Sequence, residues 1–90
     1  MNITIEHSEG VQEILNYHGV EAQELKTIEE LAELQRAIAR KDLKNIEEEI
    51  ADVLIMITQL MLRKDINIGN IKESMEYKIN RELKRINAVG

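Results

Sequence analysis

The chain has 90 residues, a formal net charge of −5 and no cysteine. That length allows one small domain, which buries only about 60% of the surface its unfolded chain exposes and is marginally stable without help. The acidic balance argues against a nucleic-acid backbone as partner, two tyrosines offer little surface for stacking bases, and the missing thiols exclude disulfides and metal–thiolate sites.

The N-terminus, MNITIEHSEG, has neither a basic region nor a long apolar run, so no signal peptide is expected. Together with the absent cysteines this is compatible with a cytoplasmic location, which is the expectation. There is no proline, and the four glycines at 10, 19, 69 and 90 punctuate stretches rich in good helix formers. Four helices are predicted. The first covers about 8–18, with Ser8 as N-cap and Gly19 ending it. The second covers about 21–40, where Leu25, Ile28, Leu31, Ala32, Leu34 and Ile38 recur at helical spacing and mark the side expected to be buried. A short KDLKN link then forces an antiparallel hairpin. The third helix covers about 45–64, with Asn45 and Glu48 in a capping-box pattern. The fourth covers about 68–87, with Ile68, Ile71, Met75, Ile79, Leu83 and Ile86 on one stripe.

Helix three decides the expected architecture. From Ile50 to Leu62 its only polar side chains are Asp52, Thr58 and Gln59, and a helix apolar all round must be buried all round. The run is too short to span a bilayer, which needs about 20 residues, so the chain reads as soluble. Three other helices, one of them short, hardly cover every side of it. The prediction is an all-α antiparallel bundle of about four helices per chain, one domain over residues 1–90, completed by a second subunit about a two-fold axis.

Four carboxylates form a pattern across the hairpin. Glu30 and Glu33 stand three apart on helix two, as do Glu49 and Asp52 on helix three. Both cross-helix pairs, Glu30 with Asp52 and Glu33 with Glu49, have residue numbers totalling 82, so a hairpin folding near residue 41 sets each pair level. Level is not facing: on helix two, Glu30, Glu33, Lys26 and Ala37 lie opposite the apolar stripe, as a solvated face would. Glu30 also fits a capping box with Thr27, although nothing between Glu21 and Thr27 breaks the helix, and Glu47 and Glu48 suit a helix N-terminus. Glu49 and Asp52 resist such readings because their neighbours are apolar. An unpaired buried carboxylate costs several kcal/mol or takes up a proton. Its escapes are an Arg or Lys partner, a metal ion, or a polar cleft. All-oxygen ligation suits Mg²⁺ or Mn²⁺ rather than zinc. His7 and His18 lack the Glu-x-x-His spacing of ferritin-like di-iron sites.

EELAE (Glu29, Glu30, Glu33), fifteen residues, then EIAD (Glu49, Asp52) resembles the Glu-x-x-Glu … Glu-x-x-Asp signature of the MazG-like, all-α nucleoside triphosphate pyrophosphohydrolases, over about residues 20–86. The resemblance implies metal-dependent cleavage between the α and β phosphates of an NTP or dNTP, giving a monophosphate and pyrophosphate, as in nucleotide-pool cleansing. Glu30, Glu33, Glu49 and Asp52 would then hold Mg²⁺, with Mn²⁺ as a substitute. Glu33 or Glu29 would take the proton of the attacking water. Lys26 matches the lysine preceding the first acidic motif, and Lys78, Arg81 and Arg85 match the basic segment contacting the triphosphate. The residues alone would give those three a solvated stripe or salt bridges with Glu73, Glu76 and Glu82. Family members are generally dimers or tetramers with the site at a subunit interface, so a homodimer or homotetramer is implied, and no nucleic-acid polymer or membrane. Several relatives set aromatic residues around the base; with no Trp or Phe here, Tyr17, Tyr77 and His18 are the candidates to substitute, and the preferred base is left open, broad or weak selectivity included. The competing readings are a non-catalytic helical oligomer, with Asp52 paired to an arginine across an interface, and a nucleotide-binding module without turnover.

Overall fold

A computed structural model describes residues 8–89. They form four helices and, among the described residues, no strand: α1 (Ser8–His18), α2 (Val20–Arg40), α3 (Leu43–Met61) and α4 (Ile68–Val89). Ser8 is the first described residue and is already helical, so a capping role there lies at the limit of what is described. No helix is long and apolar enough to cross a membrane.

The joints follow from local chemistry. Gly19 alone separates α1 from α2; its N–H donates to Leu15 O at 2.8 Å, and its φ of +89° is one that a side chain strains. The α2–α3 hairpin turns on two residues. Lys41 sits in the left-handed region (φ 58°), donating its N–H to Ile38 O at 3.1 Å, and Asp42 caps α3 by accepting from Asn45 N at 3.3 Å. The expected cap at Asn45 is therefore corrected: Asp42 is free of the turn above it and its short carboxylate reaches the third helical N–H, which Asn45 supplies.

The expectation for the buried side of α2 is also overturned. Leu25, Ile28, Leu31 and Ile38 are 47–66% exposed. The buried residues of α2 are Gln23, Thr27 and Ala37, spaced so that with Glu30 they share one side of the helix. Against that polar, small-residue side lies the side of α3 bearing Val53, Met56 and Gln59, all buried. Small side chains let two helices approach closely, and Ala37, at 0% exposure, marks the tightest point. Val11 and Leu15 bury the inner side of α1.

The apolar excess faces outward. On α3, Ile50, Ile55 and Ile57 are exposed, and on α4 every residue from Ile68 to Ala88 is exposed, including the whole stripe from Ile68 to Ile86. The molecule is correspondingly elongated, 50 × 34 × 23 Å.

Because Ala37 is fully buried at the helix seam, Ala37→Leu is expected to destabilise the fold by about 1–3 kcal/mol through overpacking, read from a urea midpoint. Ile38→Ala, one residue on but half exposed, is expected to cost less; an inverted order would contradict the packing assigned to the hairpin.

Candidate metal centre

The hairpin register brings carboxylates together about two to three turns from the link. Glu30 from α2 with Glu49 and Asp52 from α3 each offer an oxygen, and these oxygens all lie within 4.8 Å of one another. The four expected ligands are not equivalent. Glu33 stands outside this trio and is ion-paired with Arg36, one turn on along α2. It is still near enough for its charge to raise the Glu49 carboxyl. Glu29 is exposed on the adjoining side of α2 and forms no ion pair among the described residues.

The burden of burial falls on Glu49, not on Asp52. Asp52 is exposed, contrary to the reading from its apolar neighbours: Ala51 beside it is exposed too, and only Val53 of its two neighbours is buried. Glu49 is half-buried, and its Oε2 is shut off from solvent with no hydrogen-bond partner. Desolvation pushes the Glu49 carboxyl above its ordinary value, and the charges of Asp52, Glu30, Glu33 and Glu48 push the same way. A carboxylate with an orphaned oxygen, grouped with two more whose oxygens lie within 4.8 Å, has the chemistry of a hard-cation donor set. The residues present fit Mg²⁺ or Mn²⁺.

Cations are distributed unevenly around this cluster. Lys26 Nζ lies 3.3 Å from Glu30 Oε1, one turn below it; Glu30 is 14% exposed and Lys26 52%. On α4, Arg81 lies over the ring of Tyr77 at 5.6 Å and Arg85 approaches Glu82 at 3.4 Å. Among the described residues neither they nor Lys78 pairs with the acidic trio. The pairing of Arg85 with Glu82 matches the salt-bridged alternative. Asp52 has no basic partner among the described residues either. Tyr17 stacks edge-on with His18 at the exposed end of α1, and Tyr17 is 83% exposed.

Further along the hairpin lie groups that carried no weight in the sequence. Gln23 Nε2 donates to Gln59 Oε1 at 2.9 Å in a buried pair. Their numbers also total 82, so the register that levelled the carboxylates locates this pair as well. Thr27 lies inside an unbroken helix, as the absence of a breaker before it implied, and donates its hydroxyl to Gln23 O at 2.7 Å rather than capping. Arg63, just beyond α3, joins Glu24 and Asp65 at 2.6 Å each. The bond to Arg63 holds the Asp65 carboxyl below its ordinary value.

The all-α hairpin thus brings one acid of its Glu-x-x-Glu and both acids of its Glu-x-x-Asp into one acidic cluster. The model of the MazG nucleotide pyrophosphohydrolase domain matches residues 18–86, and the chain belongs to that family. No curated protein and no solved structure matches it.

If the cluster binds a divalent cation, millimolar Mg²⁺ is expected to raise the melting temperature. Glu49→Gln removes a desolvated, repelled charge; it is expected to melt higher than the parent without metal and to lose the Mg²⁺ response. A parent with no Mg²⁺ shift would count against the site.

Proposed function

We propose that the protein is a Mg²⁺-dependent nucleoside triphosphate pyrophosphohydrolase, cleaving an NTP or dNTP between the α and β phosphates to a monophosphate and pyrophosphate. The observation that carries this reading is the convergence of Glu30, Glu49 and Asp52 with an unpartnered buried oxygen on Glu49, in a chain of the MazG family. Bound there, the cation would supply charge neutralisation on the phosphates and a coordinated water of lowered pKa.

The chain's own residues divide the remaining work. Glu30, Glu49 and Asp52 hold the cation, with Glu33 completing the set once released from Arg36. That release frees Arg36 as well. Glu33 or Glu29 accepts the proton of the attacking water, since both stand beside the trio on α2. Lys26, already at Glu30, faces the phosphates and offsets charge developing on the leaving pyrophosphate. Lys78, Arg81 and Arg85 act on the same phosphates.

For those three residues the reading calls for a second copy of the chain. α4 is exposed along its length, and its cations pair with none of the acidic trio within one chain. The exposed apolar stripes on α2 and α4 and the isoleucines on α3 are the surface that a homodimer or homotetramer would cover, bringing α4 of one copy towards the carboxylates of another. This supports an obligate oligomer with a shared site.

Incubation with common and modified NTPs plus Mg²⁺ is expected to release pyrophosphate and monophosphate, and Asp52→Asn to lower kcat/KM by at least about a hundredfold, the scale of removing an electrostatic element of such a site. Nucleotide binding without turnover would replace hydrolysis by a binding role; neither binding nor turnover would leave a structural oligomer. Sedimentation at micromolar concentration is expected to show a dimer or tetramer, and a folded monomer would sink the shared-site reading.

A further inference from the structure

The Gln23–Gln59 pair is the second buried polar feature of the hairpin, and the metal centre does not use it. Gln59 is 3% exposed and Gln23 8%. Their one mutual hydrogen bond uses the oxygen of Gln59 and leaves its Nε2, which is shut off from solvent, with no acceptor. A buried amide N–H₂ without an acceptor has given up its hydrogen bonds to water and gained none in return, a net cost to the fold. Such a cost at the centre of the best-packed helix pair calls for a group that completes it.

The space beside that nitrogen has a defined size. A small, partly open volume of about 10 Å³ is lined by Gln23, Gln59, Thr27, Leu15, Val20 and Arg63 among others, room for a single oxygen atom and not for a ring. It adjoins an open groove of about 560 Å³ that shares Leu15, Val20 and Arg63 with it and continues along Asn16 and Leu62. A volume of that order accommodates a small organic ligand.

Position relates the two features. Gln23 is seven residues before Glu30 and Gln59 seven after Asp52, so both amides lie two helical turns, about 10 Å at roughly 1.5 Å per residue, from the carboxylates and on the same side. That is comparable to the separation of the α phosphate from the outer edge of the base in an extended nucleotide.

The geometry points to Gln59, held by Gln23, as the donor that reads the base of the substrate, selecting nucleotides whose base carries a carbonyl oxygen at the outer edge where cytosine and adenine carry an amino group: uracil, thymine or guanine. This inference rests on the pyrophosphohydrolase reading and adds to it the substrate class. Uracil and thymine present O4 and guanine O6 as acceptors, where cytosine and adenine present an N–H₂ that would meet the Gln59 N–H₂ donor to donor. With its oxygen occupied by Gln23, Gln59 offers only donors on its free side.

The test compares kcat/KM for dUTP, dTTP and dGTP with that for dCTP and dATP under Mg²⁺, alongside calorimetric binding of UMP and CMP. The variants are Gln59→Glu and Gln59→Leu. The parent is expected to favour the keto bases by about tenfold or more, the scale of one buried hydrogen bond. Gln59→Glu still accepts from Gln23 but has no donor left; it is expected to lose or reverse the preference. Gln59→Leu is expected to lower keto turnover without lowering amino turnover. In both variants the Mg²⁺ melting shift is expected to persist, which reports a folded hairpin with its carboxylates in place. Equal turnover of all bases by the parent, or an unchanged preference in Gln59→Glu, would overturn the assignment, leaving the space to an ordered water while hydrolysis stands. Tighter UMP than CMP binding, lost in Gln59→Glu, would uphold the assignment even if no triphosphate is cleaved. Failure of the parent to bind either monophosphate would overturn it.

Discussion

The packing of α2 on α3 uses the side of α2 that holds the fewest apolar groups, and most other features depend on this. Ala37, Thr27 and Gln23 face α3, so the two helices meet through small and polar side chains while Leu25, Ile28 and Ile38 look outward. Small side chains at the seam hold the backbones close and fix one register. That register makes Glu30, Glu49 and Asp52 a cluster and Gln23 and Gln59 a pair. Had the leucine side of α2 met α3, Glu30 would point to solvent and neither group would form.

Such a seam is a poor source of stability, because it trades apolar burial for carboxylates that repel. Glu49 shows the strain: its carboxyl is raised by desolvation first and by four neighbouring acids after that. The compensation within the chain is local, with Lys26 beside Glu30 and Asp42 capping α3. The stripes left outside are large for so small a chain, since contiguous exposed apolar surface of this kind marks an interaction site in most proteins. The same choice of face thus concentrates charge at the seam and releases hydrophobic surface for use elsewhere.

How much of this was legible in the sequence follows from what periodicity measures. The four helices were, because Gly19, the short link and the spacing of Ile and Leu are local signals. The level of Glu30 with Asp52 was, because a two-residue hairpin leaves little freedom of register. The buried side of α2 was not. A helical wheel finds the richest apolar stripe but is silent on whether this chain or another covers it, and here the poorer stripe faces inward. Asp52 was misjudged for a related reason: apolar sequence neighbours such as Ala51 and Val53 point to different sides of a helix, and only Val53 is buried. Gln23 and Gln59 went unread because a glutamine carries no expectation of burial, although their numbers obey the same register as the carboxylates.

An acidic chain that handles an anionic substrate needs its cations to be few and well placed. At −5 overall, long-range attraction of a triphosphate is absent, so affinity must come from contacts within a screening length of the site. Lys26 is the only basic side chain paired with the acidic trio among the described residues, and a single exposed ammonium is a weak anchor for a triphosphate. In the proposed reading the remaining charge comes from the bound cation and from α4, whose Arg81 and Arg85 are held only by a ring and by a neighbour on their own helix. Those restraints are weak and solvent-exposed, so the arginines are free to exchange them for phosphate oxygens, to which a guanidinium binds in bidentate fashion. The electrostatic poverty of the single chain and its surplus of apolar surface therefore have one common remedy: a second α4 docked against the hairpin, which would cover isoleucine and leucine while delivering arginine to the edge where Asp52 stands exposed.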